Sequence, residues 1–345
     1  MKAAMRTFIA SLLLLGACAS DTGTSNVDPT ALQTYEFGPY TLGPGEEVTR
    51  RCVQISLHNE DFLYVNSVEL TTGPGFHHSN WFFVPETTFA GEDGTYNCAD
   101  RNFNEPAAAI FGGVLFAQST QSPHEVQQFP SGVVIKIPPH AKIVSQIHLL
   151  NPNDAPLAIT PKIAIKPILD TEVTTTLAGI SFEDQALALP ATMQSMFTVE
   201  CDIATKHQQI FGRAPDFNIY YALAHYHGLG TRLSVEAIKP TGEATTVYST
   251  EHNVGDALGG PIEPKFSMIG YTKLRMSCEF YNPRTSVVGW GVGDQEMCVF
   301  LAFSDSTYNW GGGVLAQGPP ENPQMVGNTM TFTNACSVYA SDASR

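Results

Sequence analysis

Charge is scarce in this sequence. Asp, Glu, Lys and Arg make up 15% of its 345 residues, and 33 are acidic against 18 basic, a formal net charge of -15. No Lys- or Arg-rich run occurs, so the electrostatic footprint that holds nucleic-acid phosphates is missing and no nucleic-acid partner is expected. No Cys-x-x-Cys occurs either, which removes the spacing of a structural zinc site. Helical periodicity is weak, and only the stretch around 182–189 reads as helical.

Turn residues, in contrast, are plentiful. With 29 Gly, 23 Pro and 43% hydrophobic residues, the composition fits neither a disordered chain nor a helical bundle. Short runs rich in Val, Ile, Phe and Tyr occur at 62–70, 80–84, 133–137, 142–150, 217–227, 232–238, 273–281 and 297–303. Signals such as Thr72-Gly73-Pro74-Gly75 and Lys239-Pro240-Thr241-Gly242 punctuate them. Short strands at regular spacing predict an all-β chain of antiparallel β-sandwich, jelly-roll-like domains. The length favours two domains, although one large all-β domain would also fit. A Pro-containing stretch runs into Thr-rich sequence at 166–177 and gives the boundary, dividing the chain into 35–170 and 171–345.

The first 17 residues read as an export signal, with basic Lys2 and Arg6 ahead of an apolar run too short to span a bilayer. The segment ends Leu15-Gly16-Ala17-Cys18, which resembles the lipobox of bacterial lipoproteins. That resemblance implies a lipid on Cys18, a polar tether over 18–34, and, with Ala19 next, an outer-membrane destination facing the periplasm or the surface. The lipid would be the chain's sole membrane contact. Setting Cys18 aside leaves Cys52, Cys98, Cys201, Cys278, Cys298 and Cys336, an even set that favours three disulfides in an oxidising compartment. The boundary divides them two and four. Pairing within domains gives Cys52–Cys98, with two bridges among the other four.

Chemistry is expected where histidines cluster. In His225-Tyr226-His227 the two histidines occupy positions i and i+2 of a strand and share a face, so they can converge on one ion. His77 and His78 are adjacent and face opposite ways in a regular strand; a bend set up by Gly73-Pro74-Gly75 would let them share a metal. Taken singly, His148 reads as a core histidine and Met297 as core filling.

The ordered set of motifs resembles the copper type II, ascorbate-dependent monooxygenases, the family of peptidylglycine hydroxylating monooxygenase and dopamine β-monooxygenase. Gly75-Phe76-His77-His78 looks like its His-His motif, Gln146-Ile147-His148 like its Gln-x-His strand, His225-Tyr226-His227 like its His-x-His motif, and Glu296-Met297-Cys298 like its Glu-Met-Cys motif. The likeness covers 51–336 and is loose outside the motifs. It implies disulfides 52–98, 201–336 and 278–298, the last pinning the strand that carries Met297. It implies one copper on His77, His78 and His148 in the first domain and a second, reactive copper on His225, His227 and Met297 in the other. Imidazole suits copper, and a thioether favours Cu(I). Gln146 would act behind the ligands. The implied activity is hydroxylation of an aliphatic C–H with O2 and ascorbate or a similar reductant, across facing sites at the domain interface; a copper-binding or storage lipoprotein without turnover is the alternative.

The departures shape the substrate expected. Where amidating members grip a peptide carboxylate, this chain has Leu223, Val299 and Leu301. An undonated carboxylate is costly to desolvate, so a small or apolar substrate is expected instead. His58, His124, His140, His207 and His252 match no motif and are expected to be structural or at the surface; Trp81 is expected to pack, and Gly311-Gly312-Gly313 to form a turn.

Overall fold

The computed structural model describes residues 28, 30–119, 121–251, 255–316 and 323–343; the export signal, Cys18, most of the tether and His252 lie outside them. The chain is all-β, two sandwiches built against one long sheet. A five-stranded antiparallel sheet runs in the order Gly94–Asn97, Glu47–Ser56, Ala141–Leu150, Phe76–Pro85, Gly113–Ala117. A six-stranded sheet in the second half centres on Lys273–Asn282 and Met193–Asp202. Between them runs an 11-stranded sheet shared by both halves.

Side-chain alternation explains these layers. Lys273–Asn282 alternates half-buried and buried residues along almost its whole length, as a strand with one face on a core must. Ala141–Leu150 is buried on both faces and reads as a nearly continuous apolar run. One face joins the first core with Ile143 and Ile147; the other meets a small cluster that includes Phe82, Val84 and the Cys52–Cys98 bridge. The two main cores are not strictly divided by chain half. Tyr220, Tyr221, Leu223 and Phe303 of the second half pack into the first core, so the halves meet through apolar surface.

One strand joins the sandwiches. Thr175–Asp184 follows a 3-10 turn at Asp170–Glu172. Thr175 to Leu177 pair in parallel with Val133–Ile137 of the first half, and Ala178 to Glu183 pair antiparallel with Val299–Ser304 of the second. The strand takes in Phe182, so the helix expected around 182–189 is absent. Its apparent period came from residues split between this strand and the short strand Ala188–Leu189. Helices occur instead at Glu105–Phe111 and Ile203–Phe211, each with a side-chain N-cap, Asn104 and Asp202. They are too short for periodicity to reveal; their caps are the legible signal.

The Gly311-Gly312-Gly313 run is likewise strand, within Tyr308–Val314, not a turn. A Cβ on Gly311 would lie 2.3 Å from the Tyr339 ring, and one on Gly312 2.6 Å from the Ser337 carbonyl. Glycine here permits close packing between strands.

Three disulfides close: Cys52–Cys98, Cys201–Cys336 and Cys278–Cys298. This is the pairing the family resemblance implies. Such bridges belong to an oxidising compartment, so the protein is exported. Among the described residues no helix is long and apolar enough to cross a membrane.

Candidate metal centre

The His-His pair is placed by a β-bulge. His77 and His78 belong to the Phe76–Pro85 strand, paired with Ala141–Leu150. His78 lies opposite His148 and Phe76 opposite Leu149, which leaves His77 as the extra residue. Two residues facing one is how a bulge turns neighbouring side chains toward the same side. The expected bend is therefore real, but it sits in the ladder and not in the Gly-Pro-Gly turn.

The His-x-His pair straddles a strand end. His225 is the last residue of Asn218–His225, and His227 lies two residues beyond it, so the two do not share a regular strand. Tyr226 packs over Gly230, where a Cβ would lie 2.3 Å from the Tyr226 ring, and Gly230 N–H donates to the His227 carbonyl (3.0 Å). The turn is tied to the Met297 segment by one carboxylate. Glu296 accepts from the backbone N–H of His227 (2.8 Å) and of Leu229 (2.6 Å). Burial holds the Glu296 carboxyl up at about 7 despite these bonds. Half-buried Met297 follows, and the next residue, Cys298, is bridged to Cys278.

These elements bring all five motif histidines together at the junction of the two halves. The His77 ring lies 4.3 Å from His148 and 5.8 Å from His227, between ring centres. The His78 ring lies 4.2 Å from His225, which is 5.1 Å from His227. His78 is half-buried and the other four are buried. Burial first, and then neighbouring imidazoles, push His77 and His78 down to about 3. His225 is lowered well below the ordinary histidine range by burial and then by His78 and His227, and His227 is lowered chiefly by burial. Those four rings are neutral at pH 7, as metal ligands must be.

Outward hydrogen bonds assign the tautomers, because carbonyls and carboxylates only accept. His78 Nε2–H donates to the Gln118 carbonyl (3.0 Å), and His148 Nε2–H to Glu47 (2.8 Å). His225 Nδ1–H donates to the Ser119 carbonyl (2.7 Å), and His227 Nδ1–H to the Gln295 carbonyl (2.8 Å). For His77, Gln121 Nε2 lies 2.7 Å from Nε2. In that orientation the amide donates, leaving a proton on buried Nδ1 that has no acceptor. A half-turn of the amide would reverse the roles and leave Nδ1 as a bare lone pair. His78 and His148 of the first half thus keep Nδ1 free, as His77 does once the amide turns, and His225 and His227 of the second half keep Nε2 free. Two of these nitrogens, His77 Nδ1 and His225 Nε2, are buried without a partner.

The rings are packed against one another, not splayed around an ion. Among the described residues no three His, Cys, Asp or Glu side chains have the arrangement that would hold a metal. The shortest ring contact, His78 to His225 at 4.2 Å, runs across the two expected ligand sets, as does the longer one from His77 to His227.

No family model and no curated protein matches the chain. Solved structures to which it is similar include the major capsid protein P2 from bacteriophage PM2, at 6% identity over 80% of this chain and 97% of that one, TM-score 0.29. Another is the PBSX exported protein XepA, at 9% identity over 79% and 86%, TM-score 0.19. Likenesses this slight carry no argument about what the chain does.

Other expected residues fall as follows. Gln146 donates to the Thr49 carbonyl (2.8 Å); the group behind His148 is Glu47. Leu223 is buried in the first core and Leu301 packs against it, so both fill the junction between the halves. Val299 pairs with His225. Trp81 is fully buried against Phe37, its indole N–H on Ser79. His58, His124 and His140 are exposed, and His207 is a core residue stacked on Trp310. Glu47, Gln118, Ser119, Gln121 and Glu296 were not legible as site residues. The acidic residue beside Met297 was the one available signal, since it belongs to the Glu296-Met297-Cys298 motif.

Proposed function

We propose that this chain is a copper-dependent monooxygenase that hydroxylates an aliphatic C–H of a small or apolar substrate with O2 and an ascorbate-like reductant. The observation that carries the reading is the sorting of four of the five imidazoles, His78, His148, His225 and His227, by their outward hydrogen bonds. His77, His78 and His148 would hold one copper through Nδ1, the His77 nitrogen once its Gln121 amide turns. His225 and His227 would hold the other through Nε2, with the Met297 thioether as the soft third ligand. Bound copper would supply the O2 activation and electron transfer that side chains cannot.

The protein's own share is orientation and exclusion of water. Glu47 and the carbonyls of Gln118, Ser119 and Gln295 fix four rings, a role that commonly matters nearly as much as ligation itself. Glu296 ties the His227 turn to Met297, and the 278–298 bridge anchors that segment from the other side. Leu223 and Leu301 make the junction apolar and offer a carboxylate no donor, which disfavours a peptide C-terminus as substrate. Export as an outer-membrane lipoprotein through Cys18 is part of the same reading.

The same imidazoles would also serve a second reading, a copper-binding or storage lipoprotein without turnover. Purified protein loaded with copper and given ascorbate, O2 and a panel of aliphatic substrates separates the two. Two coppers per chain with O2 uptake matched by hydroxylated product support the enzyme. Stoichiometric copper without product across the panel supports storage, and no copper retained sinks both.

A further inference from the structure

Two consecutive residues of the first half reach both sets of histidines. Gln118 and Ser119 follow the Gly113–Ala117 strand and are fully buried. The Gln118 carbonyl accepts from His78 Nε2–H of its own half (3.0 Å); the Ser119 carbonyl accepts from His225 Nδ1–H of the other (2.7 Å). Ser119 makes a second link across the junction, its Oγ accepting from Leu258 N–H (2.8 Å). Successive carbonyls of an extended backbone point in opposite directions, so one dipeptide can serve a ring on either side.

The dipeptide is itself held from behind. Gln118 Oε1 accepts from Ser79 N–H (3.0 Å), and Gln118 Nε2 donates to the Ser122 carbonyl (3.1 Å). Ser119 N–H donates to both oxygens of the Glu125 carboxyl, at 3.2 and 3.1 Å. Glu125 is buried. A buried acid is retained at a cost unless a partner needs it, and here the partner is the residue whose carbonyl holds the His225 ring.

We propose that Gln118 and Ser119, braced by Glu125, form a positioning clasp that locks His78 and His225 in opposite tautomers and docks the two halves around them. Its purpose rests on the copper reading; its existence does not. The first half thereby sets the ring orientation of a histidine belonging to the second half, and buried His225 Nε2 is left as an unpaired lone pair aimed away from the clasp. Glu125 is a positioning residue, acting through Ser119.

The test uses the full chain without metal, its histidines labelled with 15N, and long-range 1H–15N correlation spectra at pH 7.5. His225 is expected as the Nδ1–H tautomer and His78 as the Nε2–H tautomer. Glu125→Ala is expected to convert the His225 signal to a tautomer mixture. Glu125→Gln keeps an acceptor for Ser119 N–H and is expected to restore the single form. Where Glu125→Ala fails to fold, Ser119→Ala, which removes only the Leu258 link, is expected to loosen the His225 tautomer in the same sense. An Nε2–H tautomer for His225 in the unaltered chain overturns the clasp, as does a folded Glu125→Ala protein with unchanged tautomers. Copper titration forms the second arm: Glu125→Ala should weaken the second-half site by about 10- to 100-fold, with recovery in Glu125→Gln. Expected tautomers in a chain that retains no copper would leave the clasp standing and remove the copper reading; copper binding with the wrong tautomers would do the reverse.

Discussion

Replacing Cys278 and Cys298 together by alanine removes the bridge beside Met297. Both cysteines are fully buried, so the change leaves no charge or unpaired polar group behind. The bridge closes a loop with a sequence separation of 20. Chain-entropy arithmetic gives such a loop about 3 kcal/mol, on the order of a hundredfold in the folded-to-unfolded ratio. The separations are 46 for Cys52–Cys98 and 135 for Cys201–Cys336, so the same arithmetic gives about 4 and about 5 kcal/mol. Urea unfolding of the three double-alanine variants should therefore rank them in that order. Each m-value should rise, because an unbridged denatured chain exposes more surface. The 278–298 variant carries a second expectation: its copper affinity at the second-half site should fall more than in the 52–98 variant, since only it frees the Met297 segment. A loss under about 1 kcal/mol with an unchanged m-value would refute the stabilisation argument. Equal copper affinity in the two variants would refute the anchoring role.

Three other outcomes are expected. Glu47→Ala removes the acceptor behind His148 and should weaken copper at the first-half site by about 10- to 100-fold, read by competitive Cu(I) titration; an unchanged affinity would detach Glu47 from the site. Burial raises the Glu105 carboxyl to about 7, so the folded state holds its proton more tightly than the unfolded one. Its contribution to stability is therefore fully present below the ordinary carboxylate value and is lost as pH rises from about 4.5 through 7, so Glu105→Gln should remove that component of the slope in thermal melts compared with the unaltered chain across the window. Gly230→Ala drives a Cβ into the Tyr226 ring and should destabilise by about 1–3 kcal/mol, whereas Gly260→Ala, with open space around it, should stay near neutral; equal melting temperatures would contradict the packing of the His227 turn.

Much of the fold was legible because strand burial has a period of two and the turns carry Gly and Pro. The 133–137 run matches its strand residue for residue. Less visible were features that depend on three dimensions. The bulge that aligns His77 with His78 is a property of register against Ala141–Leu150, which neither strand's sequence states alone. The strand Thr175–Asp184 begins in the Thr-rich stretch at the expected boundary, and its pairing with strands of both halves shows only in space. At the site, the motifs named the imidazoles, but not the groups behind them. Gln118 and Ser119 serve through backbone carbonyls, which any residue could supply, and Glu47 is 101 positions from the histidine it holds.

The most direct test of the central claim is X-ray absorption at the copper edge of the protein loaded with Cu(I). The account predicts two coppers per chain, imidazole at both and one sulfur shared out as half a scatterer per copper, with the sulfur lost and the three-histidine copper retained in Met297→Ile. A single copper per chain, or a spectrum without sulfur in the unaltered protein, would contradict it.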